Sequence, residues 1–446
     1  DRSSAASDVY KRQELKTSGV ESCAVCLLFS FMNPIHEHRI RDLLHEAGFN
    51  FVSLSSDIIP EFREYERTST VCLNAYVEPI MSAYLQKLAA SSSGSLWVVQ
   101  SNGGLLRADE AAKEPVRTVL SGPAGGVIGA LETARRLGLD NIVTFDMGGT
   151  STDVSRYGGD FERMVEVETA GIQFQTPSLK INTVAAGGGS LLWFDGQKIR
   201  VGPESAGAEP GPVCYGNNGK LALTDANLFL GRLLPDFFPK TFGSNYAQPL
   251  DIEATKNSFE KITKEINAAL QTKLSPTDVA LGFAQFAYES MAAAIKEISV
   301  ARGFDVRTHA LVCFGGAAAQ HACGIARILG IRKVIVHPMA GLLSAYGIAM
   351  ADQSRYALRS VLEPYIQKTA AKVEGQFREM AAPLEDEIAA TGIDSDMIET
   401  KKFFDLRPAG TDNFLPIPVG LSLIRISEPP RPRLISYAVF CLKKKG

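Results

Sequence analysis

The sequence predicts an α/β protein, and three observations carry that prediction. Short apolar runs rich in β-branched and aromatic residues alternate with amphipathic stretches of helical period. Three of those runs (NIVTF, KINTVAA and ALVCF) lead directly into glycine-rich loops. Hydrophobic residues make up 45% and charged residues 21% of 446, the balance of a globular chain large enough for two or three cores.

The elements follow in order. Glu21–Phe31 reads as a buried strand, which makes Cys23 and Cys26 strand residues rather than half of a zinc or redox pair. Pro34–Gly48 has Ile35, Ile40, Leu43, Leu44 and Ala47 on one helical face. A short strand at Phe51–Leu54 and a helix at Val71–Leu88 precede SLWVVQSNGG, a strand entering a glycine turn. LSGPAGGVIGA at Leu120–Ala130 superficially resembles a dinucleotide fingerprint. Its spacing is not G-x-G-x-x-G and no acidic residue follows on a second strand, so a Rossmann reading is rejected.

Asn141–Phe145 is a buried strand, and DMGGTSTDVSRYGG continues it as loop and second strand. Lys180–Ala186 is a strand entering GGGS, and LLWFDGQKIRV is a hairpin turning at Asp195-Gly196. A helix at Thr224–Leu230 has Thr224 as its cap and Asp225 in its first turn. Ser275 caps a long helix over Pro276–Arg302, with Pro276 at the first position. Ala310–Phe314 is a strand opening through Gly-Gly into a helix, and residues 333–337 form the next strand. Ala370–Thr391 reads as a polar helix connecting to a following region.

Net charge is -3, which gives no bias toward nucleic acid, and no apolar run is long enough to span a membrane. Seven scattered cysteines form no disulfide framework and suggest a reducing, cytoplasmic setting; no apolar signal segment is found. Residues 1–13 and 419–446 are basic and break the globular pattern. Both are expected to be disordered or artefactual tails.

The chemistry concentrates in the three loops. In the first, Gly148 and Gly149 let the backbone approach phosphate oxygens, while Thr150 and Ser151 add donors. Asp146 at the strand end, and Asp153 beyond the loop, are placed to hold Mg²⁺ or its water. In the second, Gly187, Gly188 and Gly189 before Ser190 admit either a closely approaching nucleotide or substrate, or a crossing of two chain segments. In the third, Gly315 and Gly316 form either a seat for the adenosine end of a nucleotide or an ordinary βα turn. His321 reads as a packed helix histidine. Cys214, Glu204 and Asp225 read as structural, and no general base is singled out.

The strings LSGPAGGVIGA, FDMGGTSTDVSRYGG, INTVAAGGGS, VGPESAGAEPGPVCYG, LTDANLFLGRLLPDFFPKTFG and CFGGAAAQHACGIAR resemble the hydantoinase/oxoprolinase family over roughly residues 20–418. That resemblance implies ribonuclease-H-like domains of the actin, sugar-kinase and chaperone-ATPase type, with ATP held between two of them. The family's N-terminal D-x-G-G-T loop is not found, so the first domain is expected to be N-terminally truncated. On this reading 14–120 is the remainder of the first domain, 121–369 the second ATP-cleft domain, and 370–418 a helical connector and the start of the next region. Asp146–Asp153 matches a phosphate loop, and Gly315-Gly316 the adenosine-side turn.

The resemblance further implies ATP, Mg²⁺ and a monovalent cation as cofactors. It implies hydrolysis of 5-oxo-L-proline to L-glutamate through phosphorylation of the lactam oxygen, a step of glutathione metabolism. Hydantoin is the alternative ring, since PEFREYERTSTVCLNAYVEP is more like the hydantoinase branch. An ATP-dependent carboxylase and an inactive nucleotide-binding fragment are the other readings. The partners implied are a small cyclic amide, a second-half domain or subunit, and further copies of the chain.

Overall fold

The computed structural model describes residues 17–169, 171–408, 415–419 and, as backbone, 434–444. The chain divides into two compact units, each made from separated stretches.

One unit comprises residues 122–162 and 180–350. Its strands are β1 (Asn141–Met147), β2 (Thr152–Gly158), β3 (Asn182–Val184), β4 (Ser190–Phe194), β5 (Ile199–Ser205), β6 (Ala310–Phe314) and β7 (Lys333–Val336). Its longer helices are α1 (Ser121–Arg136), α2 (Leu223–Phe229), α3 (Ile252–Leu270), α4 (Pro276–Ile298), α5 (Ala319–Leu329) and α6 (Leu343–Met350). The main sheet has the order β7-β6-β1-β2-β3. β1, β2 and β3 form an antiparallel meander, while β6 and β7 run parallel to β1. This is the ribonuclease-H-like arrangement that the family resemblance implied.

The alternation of β1 and β6 shows why both strands read as unbroken apolar runs. Val143, Phe145, Met147, Leu311 and Cys313 belong to the core shared with α4. Ile142, Ala310, Val312 and Phe314 point the other way, into a core shared with α1 and α6. A strand covered on both faces loses its polar alternation.

The rejected glycine fingerprint has a packing explanation. It forms the start of α1, where a Cβ on Gly129 would lie 2.6 Å from the Leu343 carbonyl oxygen and one on Gly347 would collide with the Gly125 carbonyl. The glycines let α1 and α6 touch backbone to backbone.

The other unit comprises residues up to 121, 163–179 and from 351. Ser22–Val25 pairs in parallel with Phe51–Leu54, and the helix Ile35–Glu46 lies against them through Leu44. The strand is shorter than expected because the chain turns at Leu27–Met32, where Phe29 has φ +59°. A 28-residue helix, Glu64–Ser91, follows. Arg163–Thr169 and Ile172–Leu179 form an antiparallel hairpin. An antiparallel sheet takes the order Ser354–Pro364, Leu434–Lys444, Ile398–Pro408, Leu415–Pro418.

This division departs from the contiguous one drawn from sequence. Residues 163–179 and those beyond 350 leave the ATP-cleft unit for the first one. The helix Gln367–Ala389 is no solvent-borne connector: Val373, Phe377, Met380 and Ile388 bury one face against Phe404, Leu406 and Ile417. Residues 1–13 lie outside those described. Of 419–446, Leu434–Lys444 is a strand, and the remainder beyond Val419 lies outside the described residues. Among the described residues no helix is long and apolar enough to cross a membrane.

Candidate nucleotide site

β1 and β2 carry the first loop between them, and their register sets its chemistry. Asp146 and Asp153 are directly opposed across the ladder, with Met147 facing Thr152 at its end. Burial pushes the Asp146 carboxyl up to about 6, and the Asp153 charge adds to that rise. Burial raises Asp153 as well; a 2.5 Å hydrogen bond from the Thr183 hydroxyl works against the rise. Two partly buried carboxylates side by side repel one another and favour a cation between them. Among the described residues no third acidic, histidine or cysteine side chain completes a metal cluster. That donor set suits Mg²⁺, which keeps several waters and takes few carboxylates.

The loop is braced from behind. The Gly148 N–H donates to the Ser151 carbonyl at 3.1 Å. The N–H groups of Gly188 and Gly189 donate to the carbonyls of Gly148 and Gly149 at 3.0 and 2.6 Å. The Thr152 hydroxyl reaches the Ala186 carbonyl at 2.5 Å. Gly187, Gly188 and Gly189 are buried, and a Cβ on Gly187 would lie 2.6 Å from the Gly149 carbonyl. Of the two alternatives for the triple glycine, the structure displays the crossing of chain segments. Its N–H groups are consumed in holding the loop, so these glycines position it from beneath.

The opposite side of the loop is open. A Cβ on Gly148, Gly149 or Gly316 would meet nothing within 4 Å. Gly149 and Thr150 are exposed. Among the described residues, the N–H groups of Gly149, Thr150 and Ser151 are not drawn into the hydrogen bonds that fix the loop. They are the donors left for an anion.

The third loop joins the same place. Gly315 has φ +85°, and a Cβ there would collide with the Asp146 carboxylate. The Ala317 N–H donates to the Met147 carbonyl at 2.9 Å, so the turn between β6 and α5 is tied to the end of β1. All three glycine loops thus converge at one end of the sheet.

The remaining candidates are structural. Asp225 is buried and accepts hydrogen bonds from the N–H groups of Val213, Cys214 and Ala222. Cys214 is buried, and burial raises its thiol strongly. Glu204 is exposed. His321 is buried and meets the Asn227 amide at 2.9 Å. Sequence reasoning missed Thr224, expected as a cap. Helix α2 begins at Leu223, and Thr224 instead donates through both N–H and hydroxyl to the Gly188 carbonyl, at 2.7 and 2.8 Å. It also missed Thr183, which holds Asp153.

Comparison with known proteins is consistent with this geometry. The hydantoinase/oxoprolinase family profile matches residues 67–356, and the profile of the family's N-terminal region matches residues 9–48. The 5-oxoprolinase 1 of Arabidopsis thaliana is 42% identical over 410 residues, which is 89% of this chain and 32% of that protein. The 5-oxoprolinase of Saccharomyces cerevisiae is 41% identical over 414 residues, 90% of this chain and 32% of that protein. The chain therefore spans about a third of the length of these curated relatives. Among solved structures, the ATP-dependent caprolactamase from Pseudomonas jessenii matches with a TM-score of 0.81 at 28% identity, covering 97% of this chain and 66% of that one. A nucleotide-free acetone carboxylase shares the fold, with a TM-score of 0.68 at 24% identity over 97% of this chain and 66% of that one. The chain belongs to the hydantoinase/oxoprolinase family.

Proposed function

We propose that these residues form the nucleotide-binding part of a larger ATP-dependent enzyme that opens small cyclic amides, with 5-oxo-L-proline as the first candidate ring. The observation that carries the nucleotide half of the reading is the Asp146–Asp153 pair beside the open edge of Gly148–Ser151. The names of the relatives support the cyclic amide half.

An amide is a poor electrophile, because nitrogen donation stabilises its carbonyl. ATP bound with Mg²⁺ would supply a phosphoryl group to the lactam oxygen, after which water adds at carbon and the ring nitrogen leaves. The chain's own residues then have separable tasks. The N–H groups of Gly149, Thr150 and Ser151 donate to phosphate oxygens. Asp146 and Asp153 hold the cation. Gly187–Gly189 and Thr224 keep the loop from retreating, because preorganised donors stabilise developing charge better than mobile ones. Gly315 keeps the β6–α5 turn against Asp146 without displacing it. Completion of the active site falls to polypeptide beyond this third of the relatives' length, as a further domain or a subunit.

The test is ATP hydrolysis by the full-length protein with and without 5-oxo-L-proline. Stimulation by this ring, abolished in Asp146→Ala, is the expected result. Stimulation by hydantoins alone would move the substrate to the sister ring. ATP binding with no stimulation by any cyclic amide would overturn the reading of the reaction.

A further inference from the structure

The helix Glu64–Ser91 is amphipathic in the inverted sense. The side it turns inward carries Arg67, Thr70, Asn74, Glu78 and Ser82, all buried. These polar groups are engaged: Arg67 donates to the carbonyls of Glu61 and Leu27. Asn74 bonds the Ser53 hydroxyl, the Lys113 carbonyl and the Val116 N–H. Glu78 accepts from the Ser53 hydroxyl.

The outward side carries Tyr65, Cys72, Tyr76, Ile80, Tyr84 and Leu88, all exposed. After Tyr65 the spacing is seven and then four throughout, so these side chains line one stripe opposite the buried face. Tyr76 is 75% and Ile80 68% exposed, and no stripe position is charged. An apolar line of this length on a helix of about 42 Å is not the surface of a finished protein.

We infer that this stripe is a docking face, and that its occupant is the polypeptide the full-length protein carries outside these 446 residues. Two facts favour that occupant. The chain matches about a third of the length of its curated relatives, so most of their mass needs a place to pack. The matched relative from Pseudomonas jessenii is by name an alpha subunit. Three tyrosines among six positions suit an interface, where a rigid apolar ring buries area and its hydroxyl still finds a partner. The inference does not depend on the reading of the reaction.

The test uses the full-length protein with Ile80 replaced by p-benzoylphenylalanine, and the cross-linked peptide identified by mass spectrometry. Native Cys72, on the same stripe, is labelled with a maleimide in parallel. The expected result is a cross-link to a peptide outside residues 1–446, with Cys72 labelled at least tenfold more slowly than in denatured protein at every protein concentration. A cross-link to a peptide within residues 1–446, or protection lost on dilution, would overturn the assignment in favour of a second copy or another part of this chain. Cys72 labelling at the denatured rate without any cross-link would overturn the docking face altogether.

Discussion

Asp146 and Asp153 face each other across the β1–β2 ladder, two carboxylates at a position where sheets ordinarily avoid like charges. Both are raised by burial, and the ladder fixes them whether or not a cation is present. The fold therefore bears a cost at this point that a bound divalent ion would remove. Asp146→Asn separates fold from function. Without divalent ions the variant should melt no lower than the parent, and higher by up to about 1 kcal/mol in stability. Stabilisation by Mg²⁺ should disappear, and ATP hydrolysis by the full-length protein should fall by about a hundredfold or more. Thermal melts with and without Mg²⁺, alongside a phosphate-release assay, read both effects.

The glycines of the first two loops should divide into two classes. Alanine at Gly187 puts a Cβ 2.6 Å from the Gly149 carbonyl and 2.7 Å from the Thr150 carbonyl carbon, so the loop must move. That substitution should cost about 1–3 kcal/mol and weaken ATP binding with it. Alanine at Gly149 meets nothing within 4 Å, so stability should stay within about 0.5 kcal/mol. If phosphate approaches that edge, ATP affinity should still fall in Gly149→Ala. Denaturation curves and nucleotide titrations on the two variants distinguish a brace from a contact.

How far the sequence foretold this site depends on the range of the information. Loop and strand boundaries at 141–158 and 310–316 were legible because apolar runs and glycine turns are local signals. That Gly187–Gly189 lie beneath Gly148–Thr150 was left open, because bare backbone looks the same whether it admits a ligand or another strand. Thr224 was misread for a related reason: a hydroxyl beside a helix start has the composition of a cap, and only the fold brings the Gly188 carbonyl to it. The helix Gln367–Ala389 was taken as polar. Val373, Phe377, Met380 and Ile388 do fall on one face, but charged residues fill the intervals between them. The departure of residues 163–179 into the other unit left no trace in RMVEVET, which alternates as any strand does.

The contact between α1 and α6 leaves no room for a methyl group. On Gly347 a Cβ would collide with the Gly125 carbonyl oxygen and lie 2.5 Å from the Gly129 nitrogen, both of them backbone atoms. Gly347→Ala should therefore lower stability by about 1–3 kcal/mol, since no side-chain rotation relieves the clash. Gly341→Ala is the matched control: nothing lies within 4 Å of its Cβ position and its φ is not in the left-handed region. Urea denaturation should place the control within about 0.5 kcal/mol of the parent.

His321 should make the fold sensitive to mild acid. Burial, with the Arg232 charge adding to it, lowers the imidazole to about 3. The Asn227 amide at 2.9 Å faces Nε2, the lone pair that protonation would consume. The unfolded value is about 6.5, so the folded state binds this proton more weakly than the unfolded one. Its contribution is intact above that pH and is lost as pH falls below it. At about 1.4 kcal/mol per pH unit, the loss should reach about 2 kcal/mol by pH 5. His321→Gln keeps a donor and an acceptor near Asn227 but cannot titrate. The stability of the parent minus that of the variant, from urea melts at pH 7 and pH 5, should therefore fall by about 2 kcal/mol. A difference that stays constant across that range would mean that His321 takes up its proton in the folded state.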